Sequence, residues 1–312
     1  MPRSGGRNSP GCMAWVKAIE SSSSITLVAT SVNGAVSANT DTARQPTGAL
    51  TPTRAGTVTP QPTTPPERCG GGFSEYMYLP WNAVVHKVPD SVDAELAGLV
   101  TPLSNGIEWA LIAAGVGYAD TVLIQGPGQQ GLSQVVACKQ AGASQIIVTG
   151  ATRDKARLDL ALQLGADEVI DIDAEAPYDR IMDLTDGRGV DFVLDCTSRA
   201  GVAPVFLLGI DALKRREGTL LIQGELSAFP PDFPVKKLTE KAITIKSARG
   251  HSYRACELAL EQLASRRFPL ERLSTHRFPL NQVDRAIRAL AGDTEDADVI
   301  HISLMPWLGK EP

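Results

Sequence analysis

Three glycines spaced as G-x-G-x-x-G, Gly126, Gly128 and Gly131, stand in the stretch TVLIQGPGQQGLSQVVACKQAGA. The chemistry open to them is the grip of a dinucleotide's pyrophosphate. Gly126 lets the chain turn, Gly128 lets phosphate approach the backbone, and Gly131 lets helix and strand pack closely. The helix start adds unpaired N–H groups and a positive dipole end, with Pro127, Gln129 and Gln130 completing the turn. The alternative is a strand-to-helix turn whose glycines serve packing alone. Other reactive side chains are scattered. Cys12, Cys69, Cys138, Cys196 and Cys256 include no C-x-x-C pair, and His86, His251, His276 and His301 have no chelating spacing. They point neither to a disulfide framework nor to a zinc ribbon, and a reducing cytoplasm is the expected setting.

The elements around the turn decide what it can do. Val122, Leu123 and Ile124 read as a buried parallel strand, and Leu132, Val135 and Val136 as one face of a helix. The alternation continues. SQIIVTG, DEVIDI, VDFVLDCT, GTLLIQG and AITIKSAR read as strands. RDKARLDLALQLGA, YDRIMDLTDG and a segment from about Val202 to Leu213 read as the helices between them. Strands alternating with helices predict right-handed crossovers and a doubly wound parallel sheet, an α/β fold of the Rossmann kind with its crevice at the carboxyl ends of the strands. Upstream, FSEYMYLP and AVVHKVPDSV read as strands, and DAELAGLVTPLSNGIEWALIAAG as two helices broken near Pro102.

At 312 residues, 43% hydrophobic and 21% charged, the chain has an ordinary globular composition with room for two domains. No stretch reads as a membrane span. A net charge of -5 and a pI near 5.5 leave no footprint for nucleic acid or for an anionic membrane. The first 69 residues differ. Ser, Thr, Pro and Gly supply 33 of the first 66, which carry +3 while the rest carries -8. A low-complexity, mostly disordered arm is expected there, with MAWVKAIESSSSITLVATSV forming one hairpin.

From Gly70 onward several collinear segments resemble the medium-chain dehydrogenase/reductase family on its zinc-binding alcohol and polyol dehydrogenase branch, close to the threonine dehydrogenases. They are GGGFSEYMYLP, HKVPDSV, TPLSNGIEWAL, the glycine turn, RLDLALQLGADEVID, DGRGVDFVLDCT, GTLLIQG and LERLSTHRFPLNQVDRAIRAL. The resemblance covers roughly residues 70 to 304. It implies a dinucleotide-binding domain over 102–250, with 70–101 and 251–312 as what remains of a GroES-like, β-rich catalytic domain. It also implies hydride transfer between a nicotinamide cofactor and a small alcohol or carbonyl compound.

The sequence departs from the family over the metal. The family's catalytic zinc is held by a Cys and a Gly-His-Glu motif, and residues 1–69 contain no histidine. Thr101 stands near where a further acidic ligand is often found. No zinc site is expected, and most of the amino-terminal catalytic domain is missing. Three readings stay open: an NAD(P)-dependent alcohol dehydrogenase-like enzyme, a zinc-independent quinone-reductase-like enzyme, and an inactive dinucleotide-binding remnant.

Cofactor choice is partly legible. The acid that bonds a ribose 2′-OH would stand near Gly150, whereas Arg153, assisted by Lys155, suits a 2′-phosphate, with Asp154 opposing it. The balance favours NADP. Thr197 is expected at the cofactor, and Cys196 as a small buried hydrophobe. Thr275 and His276 are assigned to strand packing, and His251, which follows the sixth strand and could approach the nicotinamide end, is assigned in preference to an exposed loop. No catalytic residue is assigned. The family's edge-to-edge pairing of sixth strands makes AITIKSAR the expected homodimer contact.

Overall fold

The computed structural model describes residues 15–17, 27–29, 73–74, 76–78, 84–197, 202–223, 233–306 and 308. Its elements begin with four short strands, β1 (Trp15–Lys17), β2 (Leu27–Ala29), β3 (Tyr76–Tyr78) and β4 (Val85–Lys87). β1 pairs antiparallel with β3 and β2 with β4. The hairpin expected between the first two is therefore not formed. Two three-residue strands alone bury too little to hold together, and each joins a downstream strand instead. The other expectations for the arm fall outside the described residues.

Two helices follow, α1 (Ala94–Ala97) and α2 (Val100–Gly106), the second running on as a π-helical stretch over Ile107–Ala114. Asp93 starts α1 by accepting the Leu96 N–H at 2.8 Å. The break lies at Gly98 and Leu99 rather than at Pro102, which occupies the first turn of α2. A proline there removes only an N–H that the helix leaves unpaired anyway. Gly115, with φ +99, ends the stretch.

The doubly wound core then runs β5 (Thr121–Gln125), α3 (Gln129–Ala141), β6 (Gln145–Gly150), α4 (Lys155–Leu164), β7 (Glu168–Asp171), α5 (Pro177–Leu184), β8 (Phe192–Asp195), α6 (Val202–Ala212), β9 (Thr219–Ile222), α7 (Val235–Lys241) and β10 (Thr244–Ser247). The six strands form one sheet in the order β10-β9-β8-β5-β6-β7, every pairing parallel. Strand order reverses between β5 and β8, so the crevice of the sheet opens beside the glycine turn that follows β5. After β10 come α8 (Tyr253–Ser265), β11 (Ser274–Pro279), α9 (Val283–Ala291) and β12 (His301–Met305), with β11 and β12 a separate parallel pair.

Strand alternation divides the core. Val122, Ile124, Ile146, Val148, Leu194 and Leu221 pack on one side of the sheet with residues of α2, α3, α4 and α8. Leu123, Ile147, Ile170, Val193 and Leu220 face the other side with Ile181, Phe206 and Ile210. Both faces are covered, as near-continuous aliphatic strands require.

Candidate dinucleotide site

Gly126 is held at φ +97 by its N–H, which donates to the Thr149 carbonyl at 3.0 Å. Only glycine takes that backbone without strain. At Gly131 a Cβ would stand 2.0 Å from the Gly126 carbonyl oxygen, so helix α3 could not approach the turn with any side chain there. Packing thus accounts for two of the three glycines. Gly128 is different: its backbone is extended, and no atom lies within 4 Å of where a Cβ would stand. The space in front of it is open.

That space faces the start of α3. The first helical bond runs from the Leu132 N–H to the Gly128 carbonyl at 2.9 Å, and the N–H groups of Gln129, Gln130 and Gly131 have no acceptor among the described residues. No acidic side chain stands in the first turn and no side chain caps it. Three bare donors and the positive end of a thirteen-residue helix suit an anion.

The remaining sequence-derived residues fall around this turn. Pro127 lies against Gly150, where a Cβ would meet the proline ring at 2.8 Å. No acidic side chain can stand at that strand end without displacing the ring. Thr197 lies over the turn, its methyl 3.3 Å from the position of a Gly126 Cβ, and its hydroxyl donates to buried Asp195 at 2.6 Å. Burial raises the Asp195 pKa, and the two bonds from Thr197 counter part of that rise. Arg153 is exposed, with no hydrogen bond or ion pair to any described residue. Lys155 is tied to Asp159 at 3.0 Å. Asp154, expected to oppose an extra phosphate, is engaged by Arg157 at 2.9 Å.

Half-buried Cys196 sits beside the turn, where its sulfur accepts from Gln134 at 3.0 Å. Burial, with the nearby Asp195 charge, pushes its thiol far up, which suits an inert side chain. Thr275 and His276 lie in β11, as strand packing implied. Thr101 is exposed in the first turn of α2.

One expectation is overturned. His251 is not an exposed loop residue but only 6% exposed. Three side chains from the end of α2 and the π-helical stretch hold its loop. The Trp109 indole donates to the Gly250 carbonyl at 2.7 Å, and Glu108 accepts from both the Ser252 N–H at 3.0 Å and its hydroxyl at 2.6 Å. Asn105 bonds His251 itself at 2.8 Å. Partners about 145 positions apart leave no local mark in the sequence, which is why the burial was missed. Ser252 also caps α8, accepting the Ala255 N–H at 3.2 Å. Ser252→Ala is expected to lower unfolding free energy by about 1–2 kcal/mol, read from urea denaturation.

No three His, Cys, Asp or Glu side chains converge as metal ligands among the described residues. Cys12 and Cys69 lie outside those residues. The donor set described here does not fit a zinc ion.

A doubly wound parallel sheet with an anion-ready glycine turn at its switch point defines the Rossmann class of α/β proteins. Residues 131–265 match the zinc-binding dehydrogenase family. A probable alcohol dehydrogenase of Mycobacterium tuberculosis is 33% identical over 239 residues, covering 76% of this chain and 64% of the relative. A sorbitol dehydrogenase of Halalkalibacterium halodurans is 28% identical over 236 residues, covering 76% and 66%. Among solved structures, a zinc-binding-domain alcohol dehydrogenase protein from Burkholderia ambifaria superposes with a TM-score of 0.60 at 30% identity, over 70% of this chain and 59% of that one. The chain is thus similar to zinc-binding dehydrogenases, over residues 131–265 to the family as a whole and over about three quarters of its length to these relatives. It spans less than two thirds of either relative's length.

Proposed function

We propose that this chain is an NAD(P)-dependent oxidoreductase that interconverts a small alcohol and its carbonyl compound. The observation that carries the reading is Gly128: close contacts and a positive φ account for its neighbours in the motif, whereas the open space at this one leaves room for a ligand to approach the backbone. When bound, a nicotinamide cofactor accepts or gives hydride at C4 of its ring. The N–H groups of Gln129, Gln130 and Gly131 would hold its pyrophosphate, with Gly126 and Pro127 shaping the turn and Thr197 closing it from β8. Residues 102–250 serve as the dinucleotide domain, and 70–101 with 251–312 as the part that faces the substrate. Calorimetry with NAD+, NADH, NADP+ and NADPH tests this directly. At least one must bind with measurable heat and raise the melting temperature; silence from all four removes the proposal.

NADP is the preferred form. Gly150 and its proline neighbour leave no room for an acid against the ribose 2′-OH, while Arg153 is an uncommitted guanidinium beyond the end of β6. Arg153→Ala is expected to weaken NADP+ binding about tenfold or more and leave NAD+ binding alone, since one charge-assisted contact is worth about 1.5–3 kcal/mol. Equal losses for both dinucleotides would exclude that role.

A second reading, a dinucleotide-binding protein without dehydrogenase activity, is favoured by one observation: the described residues offer no zinc ligand set. Dinucleotide binding without turnover of any alcohol would select it. For assembly, β10 is the outer strand of the sheet, paired only with β9 among the described residues, and offers its edge to the same strand of a second copy in the cytoplasm.

A further inference from the structure

We infer that His251 is the proton acceptor for the alcohol, and that the turn of α3 and the histidine are joined by one polar thread. This rests on the dehydrogenase reading above.

The tautomer follows from the partners. Asn105 donates through Nδ2 to Gln130 Oε1 at 3.4 Å, so its Oδ1 faces His251 Nδ1 at 2.8 Å. An amide oxygen only accepts, so Nδ1 carries the proton and Nε2 keeps a lone pair. Nε2 is buried and has no partner among the described residues. A buried, unsatisfied acceptor is costly and rare unless a ligand completes it. Gln130, at the other end of the thread, belongs to the first turn of α3, which carries the bare donors.

The location agrees. His251 follows β10, Thr197 follows β8 and the glycine turn follows β5, so all three stand at the carboxyl ends of parallel strands, where ligands enter such a sheet. The loop is pinned by a π-helical stretch, a geometry frequent at functional sites.

The charge environment suits a base. Burial lowers the His251 pKa first; Glu108 of the π-helical stretch raises it, and His86 of β4 lowers it. His86 is itself buried, its ring tilted at 32° against that of Tyr253 of α8 with centroids 4.2 Å apart, and bonded through Nδ1 to Glu257 of the same helix. His251 is therefore neutral at pH 7, with Nε2 free to take a proton.

The step balances as a two-electron oxidation. The alcohol's hydroxyl proton passes to His251 Nε2, the O–H bonding pair becomes the second bond of the carbonyl, and the C–H pair leaves as hydride to the oxidised nicotinamide. The imidazolium returns its proton to water as product leaves. The reverse direction uses the imidazolium as acid.

His251→Gln removes the base while keeping an amide that can bond Asn105. Its expected outcome is a fall in kcat for alcohol oxidation of about 100-fold or more, the usual range for a general base. The unaltered chain should lose activity as pH falls through the His251 pKa, which burial holds below the ordinary histidine value, so activity persists through that value and falls only beneath it. That acid limb should vanish in the variant, with dinucleotide affinity and melting temperature unchanged. Ring 15N spectra of the dinucleotide-free protein should show His251 protonated at Nδ1 only at pH 7. A variant within threefold of the unaltered chain, or an Nε2-protonated ring, would overturn the assignment. So would dinucleotide binding without turnover, which leaves the binding site standing; absence of binding would instead remove the dehydrogenase reading itself. If His251→Gln unfolds, the ring spectra and the acid limb decide alone.

Discussion

Replacing Gly128 with valine is expected to abolish nicotinamide dinucleotide binding and leave the fold intact. The two halves of that result have separate causes. Nothing lies within 4 Å of the position a Cβ would take, and the backbone there, at φ -72 and ψ 179, is open to any residue. Exchanging glycine for valine at the residue before α3 costs about 1 kcal/mol, because valine is the poorer helix cap. The melting temperature should then move by about 2–4 °C at most. The isopropyl group, however, would occupy the open space before the bare N–H groups of Gln129, Gln130 and Gly131. Losing two or three hydrogen bonds to a charged phosphate removes roughly 3–6 kcal/mol, a weakening of about 100-fold or more. Calorimetry and a melting curve on the same preparation read both halves. An unchanged dissociation constant would mean that the glycines serve packing alone.

Gly131→Val is expected to do the opposite kind of damage. Its Cβ would stand 2.0 Å from the Gly126 carbonyl oxygen, 3.2 Å from the carbonyl carbon and 3.3 Å from Ile124. Backbone cannot yield as a flexible side chain can. Helix α3 must move off β5, and with it go the contacts of Leu132, Val135 and Val136, all fully buried. Overpacking costs about 1–3 kcal/mol where the core can adjust. Here a loss of at least about 3 kcal/mol is expected, visible as a lower urea midpoint at unchanged slope. A variant as stable as the parent would show that the turn relaxes, and would weaken the contrast with Gly128 on which the site assignment stands.

The sequence carried most of the sheet because each strand is a short aliphatic run bounded by turn residues, and each crossover helix is periodic in its apolar residues. Both patterns are local. The role of each glycine was less open to reading, since spacing alone cannot say whether a missing side chain makes room for protein or for ligand. Gly126 and Gly131 proved to be the former and Gly128 the one with space before it. What could not be read at all depends on partners distant in the chain. Asn105 meets His251 across 146 positions, and His86 meets Glu257 across 171. Nor does composition announce a π-helical turn: IEWALIAA is as good an α-helix as any, and tertiary contacts decide otherwise. Pro102 misled for a related reason, because its position within the first turn, rather than its presence, determines whether it breaks a helix.

The sheet's buried neighbours have a bearing on how the molecule divides. On the side shared with α2 and α8, the aliphatic layer is completed by Leu99, Val100 and Leu103 from before β5 and by Ala259, Leu260 and Leu263 from after β10. Among the described residues, the earliest contributor to that layer is Val88. Among the described residues, the doubly wound sheet is thus roofed by segments that flank it immediately. A roof drawn from both flanks ties α2 and α8 to the sheet as one cooperative unit, so that loosening either helix would uncover the aliphatic layer beneath it.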